Sequence, residues 1–126
     1  MGEEMEVASV PREERPGPGP SPMDMIEAAV AGCTGIDVVM ILQKMRKNLH
    51  RLEVEVVPTR REAQPRVFTH MELVYHMDGD DINERAAVRA VKLSQDKYCS
   101  VSAMLRGEVE FSYRIVLNGS ELGAKI

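Results

Sequence analysis

Apolar and polar residues alternate with a period of two in three stretches of the chain, and each stretch predicts a strand with one covered face. Leu52, Val54 and Val56 point one way while Glu53 and Glu55 point the other. Val67, Thr69, Met71, Leu73, Tyr75 and Met77 alternate with Phe68, His70, Glu72, Val74 and His76. Near the end, Val109, Phe111, Tyr113, Ile115 and Leu117 alternate with Glu108, Glu110, Ser112 and Arg114. One polar face on each predicts a half-covered antiparallel sheet. A connection holding Pro58, Arg60, Arg61 and Pro65 separates the first two strands, and its basic cluster with Arg66 predicts a solvated hairpin tip.

The remaining apolar segments follow a helical period. Ser21-Pro22-Met23-Asp24 opens one: Ser21 as N-cap, Pro22 where a missing N–H does no harm, and Asp24 facing the positive end of the dipole. This helix is expected to run to about Asn48, with Lys44, Arg46 and Lys47 at its negative end. Its first half is apolar on nearly every side, which implies burial on nearly every side. The pairs Ala28/Gly32 and Ala31/Gly35 would admit a close neighbour, since an interior glycine costs about 1 kcal/mol relative to alanine. Asp78-Gly79-Asp80-Asp81 reads as a turn, and Asn83 as the cap of a second helix reaching about Lys97. Its stripe is Ala86, Ala87, Ala90, Val91 and Leu93/Ser94, with Arg85, Arg89, Lys92 and Asp96 outside. Tyr98-Cys99-Ser100 breaks it, and a short third helix occupies 101–105. The expected class is α+β: a long buried central helix, an antiparallel sheet, a second helix and a short third.

Residues 1–20 are different. An acidic start and a short alternating stretch at Met5 and Val7 lead into Arg15-Pro16-Gly17-Pro18-Gly19-Pro20, which cannot be helix. They read as an extended arm, with room for one short strand, ahead of a single domain over 21–126.

At 126 residues the chain suffices for one core and not two. Nine methionines against 4% aromatics make that core aliphatic and adaptable. A formal charge of −4 argues against nucleic acid, whose phosphates need a basic face. The segment 23–42 resembles a membrane span, but it holds Asp24, Glu27 and Asp37. Acids at mid-membrane cost about 2.5–3.5 kcal/mol each, so a helix inside a soluble protein is the expectation; with no signal-peptide pattern at the start, the expected setting is a reducing cytoplasm. There the two cysteines are more often buried or redox-active than a structural staple.

No Gly-rich phosphate loop, metal-spaced His/Cys cluster or Ser-His-Asp pattern is present, and chemistry therefore points to Cys33 and Cys99. Thiolate is the nucleophile, and a helix start or a cation favours it. By that argument Cys99, which opens a helical segment two residues after Lys97, is the better intrinsic thiolate. Cys33 lies in mid-helix with Asp37 one turn on, so it needs a cation from elsewhere. Two inert core cysteines are the competing reading. His50, His70 and His76 have no metal spacing and read as solvated or packed; Asp24 and Glu27 read as dipole partners; Asp37 must find a buried partner.

The motif Ser21-Pro22-Met23-Asp24-Met25-Ile26, continuing through Ala31-Gly32-Cys33-Thr34-Gly35-Ile36-Asp37-Val38-Val39, together with Lys97-Tyr98-Cys99-Ser100-Val101, resembles the OsmC/Ohr family of osmotically inducible and organic hydroperoxide resistance proteins. The match spans about residues 20–117. The resemblance implies an intertwined homodimer with each site built from both subunits. It also implies thiol peroxidase chemistry on organic hydroperoxides, with no cofactor beyond an external thiol or dithiol reductant. Cys33 would be the attacking thiolate and Cys99 the resolving thiol, which reverses the ranking from local chemistry. Family peroxidases place Glu directly after the helix-starting Pro, paired with an activating Arg; here that position is Met23, no residue matches the Arg, and Arg12 or Arg15 from the partner subunit would have to substitute for it. The alternative is a family member that binds a small apolar or thiol-reactive ligand in the dimer cleft without turning over peroxide.

Overall fold

The computed structural model describes residues 5–8 and 19–122. Arg12, Arg15 and the Pro/Gly run as far as residue 18 lie outside the described residues. Within the expected arm, Met5–Ala8 forms strand β1.

Helix α1 spans Pro22–Lys44. Its start is reciprocal: Ser21 Oγ accepts from the Asp24 N–H at 3.1 Å, and the Asp24 carboxylate accepts from the Ser21 N–H at 3.0 Å. The helix stops short of Asn48 because Arg46 turns into the left-handed region, at φ 61°. The N–H groups of Met45, Arg46 and Lys47 then close onto Ile41, Gln43 and Leu42. Basic residues suit a last helical turn and an exposed reversal equally, so composition did not mark the stop.

Strand β2 (Leu49–Arg60) and strand β3 (Phe68–Gly79) form an antiparallel hairpin. Leu52 pairs with Met77, Val54 with Tyr75 and Val56 with Leu73. All six are buried, so the alternation reported the inward face correctly. At the tip, Arg60 Nε donates to the Arg66 carbonyl at 2.8 Å, Arg66 Nε donates to the Arg61 carbonyl at 3.2 Å, and the Arg60 guanidinium lies 5.8 Å from the Phe68 ring centroid.

Helix α2 covers Glu84–Leu93, capped by Asn83 Oδ1 accepting from the Ala86 N–H at 2.8 Å. The helix expected to continue to Lys97 instead widens into a π-helical turn at Ser94–Tyr98, closed by the Cys99 N–H on the Ser94 carbonyl at 2.6 Å. Helix α3 (Ser100–Leu105) follows, then strand β4 (Glu110–Leu117) and a two-residue strand β5 (Ser120–Glu121).

The class is α+β, but the sheet is mixed rather than antiparallel. Its order is β1-β2-β3-β4-β5, with β1 parallel to β2 and β3 parallel to β4. Each parallel pair is joined by a helical crossover: α1 for the first, α2 with α3 for the second. Parallel neighbours require such long connections, whereas period-two alternation is silent on direction.

Val30, Ala31, Val38 and Leu42 of α1 and Ala87, Ala90 and Val91 of α2 are fully buried in one cluster with the inward sheet residues. By length and hydropathy α1 could cross a bilayer, yet this face is already packed. Burial on nearly every side does not hold within one chain. Met25 is 60% exposed, Ile36 39% and Met40 57%, and nothing described would meet a Cβ at Gly32 within 4 Å.

Candidate active site

Helix α1 carries Cys33 and Asp37 one turn apart on one side, where i and i+4 side chains meet. Cys99 arrives from the break between the π turn and α3. Both cysteines are free, Cys33 half-buried and Cys99 buried at 2% exposure. The two sulfurs and an Asp37 carboxylate oxygen all lie within 4.8 Å of one another. The two cysteines stand 66 positions apart in sequence, and the packing of α1 against the π turn and α3 closes that gap.

The expectation that Cys99 is the readier thiolate fails on burial. Desolvation pushes its thiol upward, and the neighbouring Cys33 adds to the rise. Opposing this, the Cys99 Sγ caps α3: it accepts from the Ser102 N–H at 3.5 Å and lies 3.2 Å from Ser102 Oγ. Lys97 turns to the Tyr98 ring, with Nζ 5.4 Å from its centroid.

Asp37 finds the partner that burial demanded. Ser94 Oγ donates to its Oδ2 at 2.9 Å. Desolvation raises the Asp37 carboxyl, and this hydrogen bond counters it. Since Ser94 spends its only proton on Asp37, Thr34 must donate to Ser94 across their 2.7 Å contact. Thr34 in turn accepts from the Tyr75 hydroxyl at 2.8 Å and from Gln95 Nε2 at 3.0 Å. Gln95 Nε2 also reaches the Tyr75 hydroxyl at 3.4 Å, and its Oε1 accepts from Tyr113 at 3.2 Å. Burial pushes the Tyr75 phenol upward, so it stays a neutral donor. The result is a one-way chain, Tyr75 to Thr34 to Ser94 to Asp37, in which each bond polarises the next toward the carboxylate.

The π turn makes this geometry possible. Its extra residue per turn lets adjacent Ser94 and Gln95 both face inward, each at 2% exposure or less, before Cys99 follows. Such turns recur at functional sites. Sequence reading placed Ser94 in the α2 stripe but missed the roles of Thr34, Tyr75, Gln95 and Tyr113. The available signal was polar residues on otherwise apolar faces: Thr34 beside Cys33, and Ser94-Gln95 continuing an Ala/Val stripe.

The other candidates disperse. His50 pairs with Asp80 at 3.0 Å, His76 with Glu55 at 3.2 Å, and His70 Nε2 lies 2.9 Å from Ser112 Oγ. Asp24 serves the α1 cap. Glu27 is not an exposed dipole partner: it is 2% exposed, its Oε1 has no hydrogen-bond partner among the described residues, and burial raises its pKa to about 7, Asp24 adding to the rise and Arg60 opposing it.

Asp37 also forms part of the wall of a cleft of about 470 Å³ with Met40, Ile41, Gln43, Lys44 and Tyr98. A larger depression of about 730 Å³ follows the charged outer face of α2, bordered by Arg85, Arg89 and Lys92, and includes neither sulfur. Neither sulfur lines the smaller cleft either, but Asp37 on its wall has a carboxylate oxygen within 4.8 Å of both.

Residues 15–114 match the family model described as OsmC-like protein. Protein YhfA of Escherichia coli K12 is 48% identical over 99 residues, covering 77% of this chain and 74% of its own. A solved hypothetical protein from Aquifex aeolicus VF5 superposes with a TM-score of 0.71 at 32% identity, over 80% of this chain and 77% of that one. The organic hydroperoxide resistance protein OhrB of Bacillus subtilis shares the fold at 18% identity, with a TM-score of 0.57 over 79% of this chain and 72% of its own.

Proposed function

Because the chain belongs to the OsmC-like protein family, we propose that it is a thiol-dependent peroxidase acting on organic hydroperoxides. The observation that carries this reading is the sulfur pair, one half-accessible and one buried, within 4.8 Å. Cys33 attacks the O–O bond of ROOH; that bond breaks, ROH leaves, and Cys33 becomes a sulfenic acid. The Cys99 thiol then attacks the sulfenic sulfur, water departs, and a disulfide forms. An external dithiol returns two electrons and two protons to restore both thiols.

Asp37 supplies what the family Glu–Arg pair would otherwise provide. A thiolate beside a carboxylate would place two negative charges together. Passing the Cys33 proton to Asp37 keeps a single charge on the pair, and the same proton is then available to the departing alkoxide. The chain of hydroxyls ending on Asp37 Oδ2 holds the carboxylate in place for this transfer. The cleft beside it, with Met40, Ile41 and Tyr98 on its wall, suits an apolar alkyl or aryl group.

The same reading includes a homodimer in a reducing cytoplasm. Met25, Ile36 and Met40 form one exposed apolar stripe on α1, and Met104 of α3 is 77% exposed. A second copy would cover these side chains and close the cleft.

The test is consumption of cumene hydroperoxide with dithiothreitol as reductant. Wild type consumes it, Cys33→Ser does not, and Cys99→Ser accumulates a sulfenic acid that dimedone traps. Wild type that neither consumes the peroxide nor forms the disulfide would overturn the enzyme reading and leave a ligand-binding protein.

A further inference from the structure

We infer that the reduced Cys33–Cys99 pair and Asp37 form a binding site for a thiophilic divalent cation of the Zn²⁺ type. This goes beyond the peroxide reading and does not depend on it. No local spacing announces such a site; three ligand atoms from α1 and from the α2–α3 break converge only in the fold.

Distances favour it. Zn–S bonds of about 2.3 Å and Zn–O bonds of about 2.0–2.2 Å in a tetrahedron place ligand atoms roughly 3.4–3.8 Å apart. From the 4.8 Å upper limit of the Cys33–Asp37–Cys99 triangle, closure onto a metal needs about 1 Å of movement, within reach of small side-chain rotations. Closing the sulfurs to a disulfide at about 2.05 Å needs more.

Ligand chemistry narrows the cation. Two sulfurs select zinc and other soft ions over magnesium or calcium, and the carboxylate favours a divalent ion over monovalent copper. Binding displaces both thiol protons, and the two thiolates with Asp37 then bring three negative charges against two positive.

The carboxylate is prepared for this role. Ser94 occupies Oδ2, which leaves the other oxygen to a metal, and Thr34 holds Ser94 from behind at 2.7 Å. Ligating carboxylates are held by hydrogen bonds of this kind, and their loss costs 10–100-fold in affinity. Three protein ligands leave a fourth position open, the arrangement of sites that keep a water or a small ligand on the metal.

The experiment uses the full chain, reduced with a phosphine and stripped of metal. Zn²⁺ is titrated against a chromophoric chelator, and Co²⁺ is titrated while its sulfur-to-metal charge-transfer absorption is followed. One equivalent should bind to reduced wild type and none to the disulfide form. Cys99→Ser should abolish the charge-transfer band or weaken binding more than 100-fold, and Ser94→Ala should weaken it 10–100-fold with the band retained. Circular dichroism checks that each variant folds. Absence of the band in a reduced protein that still forms the Cys33–Cys99 disulfide would overturn the cation site and leave the peroxidase standing. Equal zinc uptake by the Cys33→Ser/Cys99→Ser double variant would overturn it too. Zinc bound in the reduced state by a protein inert to peroxide would sustain the site and remove the peroxidase.

Discussion

Glu27 shows how a single side chain can tie stability to pH. Its Oε1 is buried without a hydrogen-bond partner among the described residues, and burial, with Asp24 adding, raises its pKa from 4.5 to about 7. Between those values the unfolded chain has released a proton that the folded chain retains. Stability therefore falls as pH rises through this window and levels off above about 7. Glu27→Gln mimics the protonated acid. It should match wild type at pH 4 and exceed it at pH 8 by up to about 3 kcal/mol, read from urea unfolding at both pH values. A wild type that is the more stable at pH 8 would mean that attraction to Arg60 outweighs desolvation. Cys99 teaches the same lesson about burial. Its place at a helix start was legible in the chain, but its 2% exposure was not, and desolvation outweighs a six-residue helix.

Among the elements, local signals did well where the chemistry was local. Ser21 and Asn83 cap the helices they were expected to cap, and Leu52, Val54 and Val56 face inward as their alternation required. Asn83→Ala should lower stability by about 1 kcal/mol, through the lost hydrogen bond to Ala86. Thermal unfolding checks this, and a change below a few tenths would show that the α2 start is held by packing alone. The π turn at Ser94–Tyr98 was not legible, since Ser-Gln-Asp-Lys-Tyr fits an ordinary helical turn. What selects the wider turn is the inward placement of Ser94 and Gln95 against Thr34 and Tyr75, partners far away in the chain. The parallel pairings were missed for a related reason: alternation reports which face is covered, and the helical crossovers carried the information on direction.

For the whole molecule, the open side of α1 matters most. A helix apolar all round is half covered here, and Met25, Ile36 and Met40 face outward together. If two copies meet on this stripe, Met25→Glu should shift the sedimenting species from dimer to monomer. Its effect on the single chain should stay within about 0.5 kcal/mol, as for an exposed substitution. Unchanged sedimentation of a wild-type monomer would remove the dimer from the proposal. The family is legible in this chain from two motifs around Cys33 and Cys99, and the match over residues 15–114 agrees with that reading.

The amino-acid order by itself determined the caps, the inward faces of the strands, the helix that bears Cys33 and the break that bears Cys99, because each follows from hydrogen bonds and periodicities among near neighbours. Only the tertiary structure decided that the two sulfurs meet beside Asp37 and that a file of hydroxyls from Tyr75 ends on that carboxylate. Those contacts join α1, β3 and the turn after α2, and they exist only once the apolar faces of all three have been buried together.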